Sequence, residues 1–470
     1  MIKIGLVGIG LETYWKQFAG LKERLEGYQN EICAKMQSMD ADIVNVSIVD
    51  SQEKAQKAID VLLDNKVEML FVFISTYALS STILPIVQRC KVPILLLNIQ
   101  PEKVIDFKYV NKIGNRGKMT GEWLAYCQAC SLPEFASVFN RSGIKYDIIT
   151  GYLSDDNLWK EINDWIDAAK AVKGMRENRM GILGHYYTGM LDVYTDITLQ
   201  SATFGTYIEQ VEMCELQHFY ENATEAEIHD KLEEFKEKFD VSPDCEEYEL
   251  KLAAKTSIAL DKIVTTHNLG SIAYYYEGYP GNEYENLVTS VIAGNTLLTG
   301  KGIPVAGECE VKNVQAMKIM SLLDAGGSFS EPYTIDFEKD VVLWGHDGPA
   351  HFAISKSKVQ LVPLPVYHGK PGKGLSIQMS VRLGDVTLLS ICEGKDGVFL
   401  LVAEGESVAG ETLMIGNTNS RYSFPCGAKE FINRWSKAGP SHHCAIGIGH
   451  VGEKIEKIGK ILNIPTVRIC

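Results

Sequence analysis

The 470-residue sequence lacks the features of a membrane protein and of a nucleic-acid-binding protein. No apolar run approaches the roughly 20 residues that cross a bilayer, and the opening segment MIKIGLVGIG reads as a strand rather than as a cleavable signal. Acidic residues number 60 against 46 basic ones, the formal net charge is -14, and no long run of lysine or arginine occurs. Binding to a phosphate backbone or to a membrane is therefore not expected, and the cytoplasm is the expected compartment.

The sequence also lacks a regular cysteine pattern. Its 11 cysteines are an odd number and are scattered irregularly, which argues against a disulfide framework. One CxxC pair, Cys127 and Cys130, lies in a helical pattern without a second pair. We interpret the two as small buried hydrophobes and assign them no zinc or redox role.

A dinucleotide-binding fingerprint is missing as well. Gly5, Gly8 and Gly10 lie at the first predicted strand, but their spacing does not make GxGxxG. The acid near the end of the second strand, Asp50, is common in any fold of this kind. No nucleotide cofactor is therefore expected.

What the sequence does contain is a globular composition, with 46% hydrophobic and 23% charged residues. The first part alternates β-branched runs such as KIGLVGI and VEMLFVFIS with amphipathic helices, among them one from about Tyr14 to Met39. This alternation predicts βαβ units and a mostly parallel sheet. A second α/β segment begins near RMGILGHYY, and from about Phe337 strands alternate with glycine-rich turns, as in an antiparallel sheet or small barrel.

These changes of pattern predict three domains. Two are Rossmann-like α/β domains with parallel sheets, residues 1–175 and 176–305. The third, residues 306–470, is β-rich and barrel-like and would carry most of the metal ligands discussed below.

Two carboxylates, Glu308 and Glu310, stand in PVAGECEVKNVQAM, after a small-residue turn and at the opening of a predicted helix. Val311, Val314 and Met317 recur at helical spacing, so Glu308 is expected near the positive end of the helix, where an acid stays ionised. A glutamate in the first turn is also ordinary capping, so this acid does not by itself indicate a functional site.

Other candidate ligands follow along the chain. Glu331 precedes a proline-containing extended segment, and His346 ends an apolar strand inside a Gly-His-Asp-Gly turn. His442 and His443 lie in GPSHHCAIGIGH, a small-residue loop that enters a strand. Two carboxylates and two imidazoles at loop or strand ends suit a hard divalent cation such as manganese, magnesium or cobalt, whereas thiolates would indicate zinc.

The segments AGECEVKNVQAMKIM, FSEPYTIDFEKDVVLWGHDG, GPSHHCAIGIGH and IEKIGKILNIPTVRIC resemble the L-arabinose isomerase family, within the wider fucose and arabinose isomerase superfamily. The resemblance is densest after about residue 270. It implies that Glu308, Glu331, His346 and His443 hold the metal. It also implies three domains and a homo-oligomer, a hexamer or a tetramer, whose active site lies between subunits.

The reaction implied by the resemblance interconverts an aldose and a ketose, in the open-chain form of a sugar, through a cis-enediol. The divalent metal, Mn²⁺ with Co²⁺ or Mg²⁺ as alternatives, would hold two adjacent sugar oxygens, and Glu308 and Glu331 would move a proton between C1 and C2. The alternatives are a non-catalytic sugar-binding module and another metal-enediolate sugar enzyme, an epimerase or an aldolase. Measuring the metal content would distinguish a sugar-binding module from the isomerase, and identifying the reaction products would distinguish an epimerase or an aldolase from it.

The sequence departs from the family in the loops that touch the sugar. IGNRGKMTG stands where the family has TAHGGREFG, which puts Asn115 near the place of the family's sugar-binding histidine. Arg116 and Lys118 in this loop either bind an anionic group of the substrate, such as a phosphate or sulfonate, or form an ordinary solvated pair. Glu310 takes a position near a family aspartate, where it either supports a ligand or is simply exposed.

Further substrate contacts are expected at strand ends. His185 follows a strand where the family places such contacts, and Glu277 ends a strand, which it either caps or extends into the cleft. Tyr333 and Trp344, next to ligand positions, either stack on the sugar or pack in the core. His442 is expected to orient its neighbour or its loop. No role is assigned to the remaining histidines considered, His351, His368 and His450.

Overall fold

The computed structural model describes residues 1–277, 281–367 and 370–470, and the chain forms two compact units, Met1–Lys170 and Ala171–Cys470. The predicted fold class is confirmed, since two parallel α/β sheets are followed by a closed antiparallel barrel. The division into three domains at residues 175 and 305 stays a prediction. Among the described residues, no helix is long and apolar enough to cross a membrane.

Unit 1 is built on a five-stranded parallel sheet with strand order β2-β1-β3-β4-β5. Its strands are β1 Ile2–Ile9, β2 Ala41–Val49, β3 Met69–Ile74, β4 Ile94–Gln100 and β5 Asp147–Tyr152. Its helices are α1 Thr13–Gln17, α2 Leu21–Gln37, α3 Gln52–Asp64, α4 Ser80–Cys90, α5 Phe107–Lys112, α6 Arg116–Leu124, α7 Gln128–Arg141 and α8 Asp156–Glu177. The boundary between the units falls inside α8.

The central strands of this sheet are continuous apolar runs. All six positions of β3, MLFVFI, are buried, as expected where helices cover both faces of a parallel sheet. The predicted helix from Tyr14 to Met39 is wrong in its continuity, because the chain forms α1 and α2 instead. Gly20, with φ 81°, stands immediately before α2, in a left-handed conformation that a helix interior cannot hold.

Unit 2 begins with a four-stranded parallel sheet, order β10-β9-β6-β7, and continues into the barrel. The strands are β6 Arg179–Gly184, β7 Tyr207–Val211, β8 Asp240–Val241, β9 Ser271–Tyr275, β10 Val305–Ala306, β11 Gly326–Asp336, β12 Val341–His346, β13 Gln360–Pro363, β14 Val366–Tyr367, β15 Lys370–Pro371, β16 Leu375–Gln378, β17 Gly384–Gly394, β18 Gly397–Val408, β19 Thr418–Ser423, β20 Cys444–Ile448 and β21 Thr466–Arg468. The helices are α9 Ile197–Phe204, α10 Met213–Glu221, α11 Glu225–Lys238, α12 Glu247–His267, α13 Glu285–Val288, α14 Val291–Gly300, α15 Val311–Leu322, α16 Ala428–Ala438 and α17 Gly452–Leu462, with one 3-10 turn at Phe352–Ile354.

The barrel closes because its first and last strands pair with each other. The order is β17-β20-β11-β12-β19-β18, and the long hairpin β17–β18 completes the circle, with β21 added parallel to β18. Two smaller sheets, β16-β13-β8 and β14-β15, lie outside it. Closure leaves none of the six barrel strands with an unpaired edge along its full length.

Helix α15 joins the parallel sheet of unit 2 to the barrel. It contacts β9 and β10 on one side and β11, β17 and β20 on the other. The helix is buried almost all round, including Lys312 and Asn313, as expected for a helix with protein on every face. The segment that leads into α15 is therefore held between the two sheets.

Candidate active site

Strand register in the barrel brings three of the predicted ligands together. Glu331, on β11, pairs with Gly345, which immediately precedes His346 at the end of β12. On the other side of β11, Ser330 pairs with Cys444, which immediately follows His443. The register therefore puts the three residues at neighbouring positions on adjacent strands, whose main chains lie about 5 Å apart.

Glu308 reaches the same region from a strained turn before α15. Glu308 and Cys309 both adopt left-handed conformations, with φ 55° and 59°, which side-chain-bearing residues rarely do. Main-chain hydrogen bonds hold the turn, from Cys309 N to Tyr274 O at 3.1 Å and from Tyr187 N to Glu308 O at 3.3 Å. Such strain costs about 1–3 kcal/mol per residue and persists where the surrounding structure fixes it, often at functional sites.

The spacing of the ligand atoms suits one divalent cation. The Nε2 atoms of His346 and His443 are 3.2 Å apart, and they lie 3.9 and 3.4 Å from carboxylate oxygens of Glu308. Two ligand atoms each about 2.1 Å from one ion are about 3.0 Å apart at a right angle and about 4.2 Å apart across the ion. The measured distances fall in or near this range.

The environment of the Oε2 atom of Glu308 favours a bound cation. It is buried and has no hydrogen bond of ordinary length within the described part of the chain. Its nearest ring nitrogens, on His443 and His442, are 3.4 and 3.5 Å away. A buried carboxylate oxygen normally accepts a hydrogen bond, so this atom fits a cation better than it fits the protein alone.

The predicted ligands fall into two overlapping groups that share one histidine. Glu308, His346 and His443 form one group whose ligand atoms lie within 4.8 Å of one another, and Glu331, His442 and His443 form the other. His442, which was expected to orient its neighbour or its loop, also contributes a ring nitrogen to the second group. The assignment of Glu308, Glu331, His346 and His443 as the ligands remains a prediction.

Glu310 fixes the ring of His443. The Oε2 atom of Glu310 lies 2.5 Å from Nδ1 of His443, its Oε1 atom accepts a hydrogen bond from the hydroxyl of Ser441, and the residue is fully buried. Because an ionised carboxylate can only accept, Nδ1 donates to Glu310, and Nε2 is the nitrogen left to face Glu308, 3.4 Å away. Of the two alternatives left open for Glu310, the exposed position is therefore wrong.

Phe329 packs against both imidazoles. Its ring centroid is 4.2 Å from that of His346 and 4.3 Å from that of His443, and the residue is completely buried. These close contacts limit the rotation of both histidine rings.

Asp192 holds the ring of His442. Its Oδ2 atom lies 2.6 Å from Nδ1 of His442 and also accepts a hydrogen bond from the main-chain N–H of that residue, at 3.0 Å. Burial opposes the charge on the His442 ring, but the carboxylates of Glu308 and Asp192 outweigh burial and raise its pKa to about 9. Burial likewise opposes ionisation of Asp192, and hydrogen bonds from His442 overcome it and lower the pKa of Asp192.

The carboxyl of Glu331 is partly buried. Burial raises the pKa of its carboxyl above the ordinary value, against the opposing effect of the nearby histidines. Tyr333, two residues further along β11, is half-buried, and its hydroxyl accepts a hydrogen bond from the amide of Asn417 at 2.9 Å. Trp344 is core, since it packs against Phe431 and Trp435.

His185 and Glu277 follow adjacent strands of the parallel sheet. His185 comes directly after β6 and is exposed, with its ring 5.5 Å from that of Tyr275 and its main-chain N–H bonded to Tyr275 O. Glu277 is exposed two residues beyond β9 and accepts a hydrogen bond from the hydroxyl of Tyr275 at 3.4 Å. Both therefore lie at the carboxyl edge of the sheet, the edge from which the turn at Glu308 also leaves.

Asn115, Arg116 and Lys118 belong to unit 1. Asn115 is the N-cap of α6, where its side chain accepts a hydrogen bond from Lys118 N at 3.0 Å. Arg116 and Lys118 are exposed in the first turn, and neither forms an ion pair with a residue in the described ranges. Basic residues at the positive end of a helix are electrostatically unfavourable, so stabilisation of the helix does not explain why Arg116 and Lys118 stand there.

The histidines without an assigned role are structural where they are described. Burial lowers the pKa of His351 to about 4, and its ring accepts a hydrogen bond from Ala353 N at 3.2 Å. The ring of His450 lies 3.1 Å from the main-chain oxygen of Gly405. His368 lies outside the described residues.

No family model matches the sequence. Sulfoquinovose isomerase from Priestia aryabhattai is 21% identical over 424 residues, which make up 89% of this chain and 89% of that protein. L-arabinose isomerase from Bacillus subtilis (strain 168) is 22% identical over 354 residues, 72% of this chain and 69% of that protein. L-arabinose isomerase from Leuconostoc mesenteroides subsp. mesenteroides is 20% identical over 391 residues, 80% of this chain and 77% of that protein.

A solved structure is also similar, but only weakly. It is a periplasmic solute-binding protein of an ABC transporter from Actinobacillus succinogenes 130z with bound D-allose, at 13% identity and a TM-score of 0.16 over 65% of this chain and 78% of that one. A superposition of this quality carries no argument about fold or function.

The named relatives confirm the resemblance to the L-arabinose isomerase family and its superfamily. They also confirm the predicted class of enzyme, an intramolecular oxidoreductase of the sugar isomerase type.

Proposed function

We propose that the chain is a divalent-metal-dependent aldose–ketose isomerase that acts on an open-chain sugar through a cis-enediol, with Glu308, Glu331, His346 and His443 as the metal ligands. The buried Oε2 atom of Glu308, 3.4 Å from Nε2 of His443 and without an ordinary hydrogen bond, is the observation that carries this proposal. Mn²⁺ is the proposed ion, with Co²⁺ and Mg²⁺ as alternatives. When bound, the ion would polarise the sugar oxygens and stabilise the negative charge of the enediolate.

The two glutamates would move the proton between C1 and C2. Carboxylate oxygens of Glu308 and Glu331 lie 3.5 and 3.8 Å from the same ring nitrogen of His442, so one carboxyl could hold a proton while the other accepts one. Glu310 and Phe329 keep the His443 ring in its ligand orientation throughout the reaction. His185, Glu277 and Tyr333 are proposed substrate contacts.

The identity of the sugar is proposed only as a class. The relatives include sulfoquinovose isomerases and L-arabinose isomerases, so we propose that the substrate is an anionic hexose or an L-pentose. The resemblance also implies a homo-oligomer with the active site between subunits, to which Asn115 and Arg116 would contribute. Arg116 and Lys118, exposed and without ion-pair partners among the described residues, would then meet the anionic group.

The test uses protein stripped with EDTA, reloaded with Mn²⁺ and given a panel of aldoses that includes L-arabinose and sulfoquinovose, with ketose formation as the readout. We expect activity to require the metal, and Glu308→Gln and Glu331→Gln to abolish turnover in folded protein. The matched control is Glu338→Gln, an exposed glutamate in the turn after β11, which should keep full activity. Full activity in both site variants, or no ketose from any sugar, would refute the proposal.

A further inference from the structure

Asp192 lies in the loop between β6 and α9, and it is joined to a residue 250 positions away. A single carboxylate oxygen accepts the main-chain N–H of His442 at 3.0 Å and lies 2.6 Å from the ring Nδ1 of the same residue. One side chain therefore fixes both the backbone and the ring of His442.

The loop that carries Asp192 is itself anchored to α15. The ammonium group of Lys312, in a residue that is 5% exposed, donates a hydrogen bond to the main-chain oxygen of Asp192 at 2.5 Å. Lys312 lies two residues after Glu310, in the first turn of the helix. Burying a lysine costs free energy. Because Lys312 is buried and bonds to a carbonyl of this loop, we interpret it as the anchor that fixes the position of Asp192.

The two neighbouring histidines are held in the same way. The Nδ1 atom of His443 faces Glu310 at 2.5 Å, and that of His442 faces Asp192 at 2.6 Å. The ring centroids are 3.8 Å apart. In each ring the carboxylate requires the proton on Nδ1, which leaves Nε2 directed away from that carboxylate.

The Nε2 atom of His442 is consequently aimed between the two glutamates. It lies 3.5 Å from Oε2 of Glu308 and 3.8 Å from Oε2 of Glu331. A sugar whose reacting carbons lie between the two carboxylates would bring the oxygens on those carbons close to this nitrogen. If the ring could rotate freely, Nε2 would face the substrate oxygen only part of the time, and the reaction would be slower.

We propose that Asp192 is a positioning residue for the isomerisation, which holds the ring of His442 so that Nε2 meets a substrate oxygen between Glu308 and Glu331. This inference rests on the proposed function. Asp192 does not touch the substrate itself and acts through His442.

The experiment compares Asp192→Ala, His442→Gln and the double variant, with Asp196→Ala as the matched control. Asp196 belongs to the same loop but only caps α9, where it accepts hydrogen bonds from Thr198 N and Leu199 N at 2.8 and 3.2 Å. We expect Asp192→Ala to lower kcat roughly 10- to 100-fold with KM and the Mn²⁺ affinity little changed, as for other residues that orient a functional histidine. The double variant should be no slower than His442→Gln, because the two side chains act as one unit.

Proton NMR of the metal-free protein supplies a readout that does not depend on activity. A downfield imidazole N–H resonance should be lost in Asp192→Ala and in His442→Gln and kept in Asp196→Ala. An Asp192→Ala enzyme within twofold of wild type, losses that multiply in the double variant, or a parallel loss of Mn²⁺ affinity would overturn the inference. If the wild-type protein isomerises no sugar, the proposed function fails, and the NMR comparison still decides whether Asp192 holds His442.

Discussion

Replacing Glu310 by glutamine isolates the electrostatic part of metal binding. The side chain is fully buried, so an amide of the same shape opens no cavity, and the hydroxyl of Ser441 can still bond to it. What changes is the bond at Nδ1 of His443, 2.5 Å from the carboxylate, which becomes a bond to a neutral oxygen. The ring then becomes a poorer electron donor at Nε2.

The size of the effect follows from the two kinds of hydrogen bond. A bond to a charged acceptor contributes about 1.5–3 kcal/mol and a neutral one about 0.5–1.5 kcal/mol, so the difference is about 1–1.5 kcal/mol. Since about 1.4 kcal/mol is tenfold in affinity, Glu310→Gln should bind Mn²⁺ roughly tenfold more weakly. Isothermal titration calorimetry on protein stripped with EDTA measures this directly.

The control is a buried carboxylate of the barrel that is remote from the ligands in sequence. Glu404 accepts a hydrogen bond from Gly452 N at 2.7 Å and is paired with Arg468, so Glu404→Gln should lower the melting temperature without weakening metal binding. If Glu310→Gln binds Mn²⁺ within twofold of wild type, or if Glu404→Gln weakens binding equally, Glu310 does not act through His443.

Three further variants test the pH dependence of stability and the packing of the barrel strands. Hydrogen bonding to Glu215 raises the pKa of His267, so this contribution to stability is fully present below about pH 6.5, the unfolded value, and is lost as the pH rises through the raised folded value. In thermal melts, His267→Gln should therefore differ most from wild type at acid pH, and a difference independent of pH would contradict this. A Cβ at Gly345 would lie 1.9 Å from the main-chain oxygen of Thr418, whereas one at Gly394 would have no neighbour nearer than 3.8 Å. In urea denaturation, Gly345→Ala should therefore be strongly destabilised and Gly394→Ala only slightly, and equal midpoints would show that the strands separate easily.

The sequence predicted the architecture where periodicity is strong. Buried runs such as β3 and the glycine-punctuated strands after Phe337 gave the parallel sheets and the barrel, because covered sheets and closed barrels impose those patterns. The break between α1 and α2 was missed, since the 3.6-residue pattern continues on both sides of it.

The conformation around Glu308 could not be read from the sequence. The predicted helix begins only at Val311, and Glu310 rather than Glu308 stands at its N-cap. Two successive residues with side chains in the left-handed region break the local rule that such positions favour glycine. The hydrogen bonds that hold them come from Tyr274 and Tyr187, which belong to other strands and loops.

The residues that support the histidines were missed for a related reason. Asp192 stands in a loop with no motif of its own, and its partner is 250 positions away. Glu310 was singled out, but burial and the contact with His443 are tertiary facts that composition and spacing do not contain. The nearest available signal was the pair of adjacent histidines, each of which needs a partner for its second nitrogen.

The central claim is that Glu308, Glu331, His346 and His443 bind one divalent cation, and anomalous diffraction from Mn²⁺-loaded crystals tests it most directly. The account predicts one strong manganese peak per chain, about 2.0–2.3 Å from an oxygen of each glutamate and from Nε2 of each histidine. A metal-loaded crystal with no peak among these four side chains, or with its peak elsewhere in the chain, would contradict it.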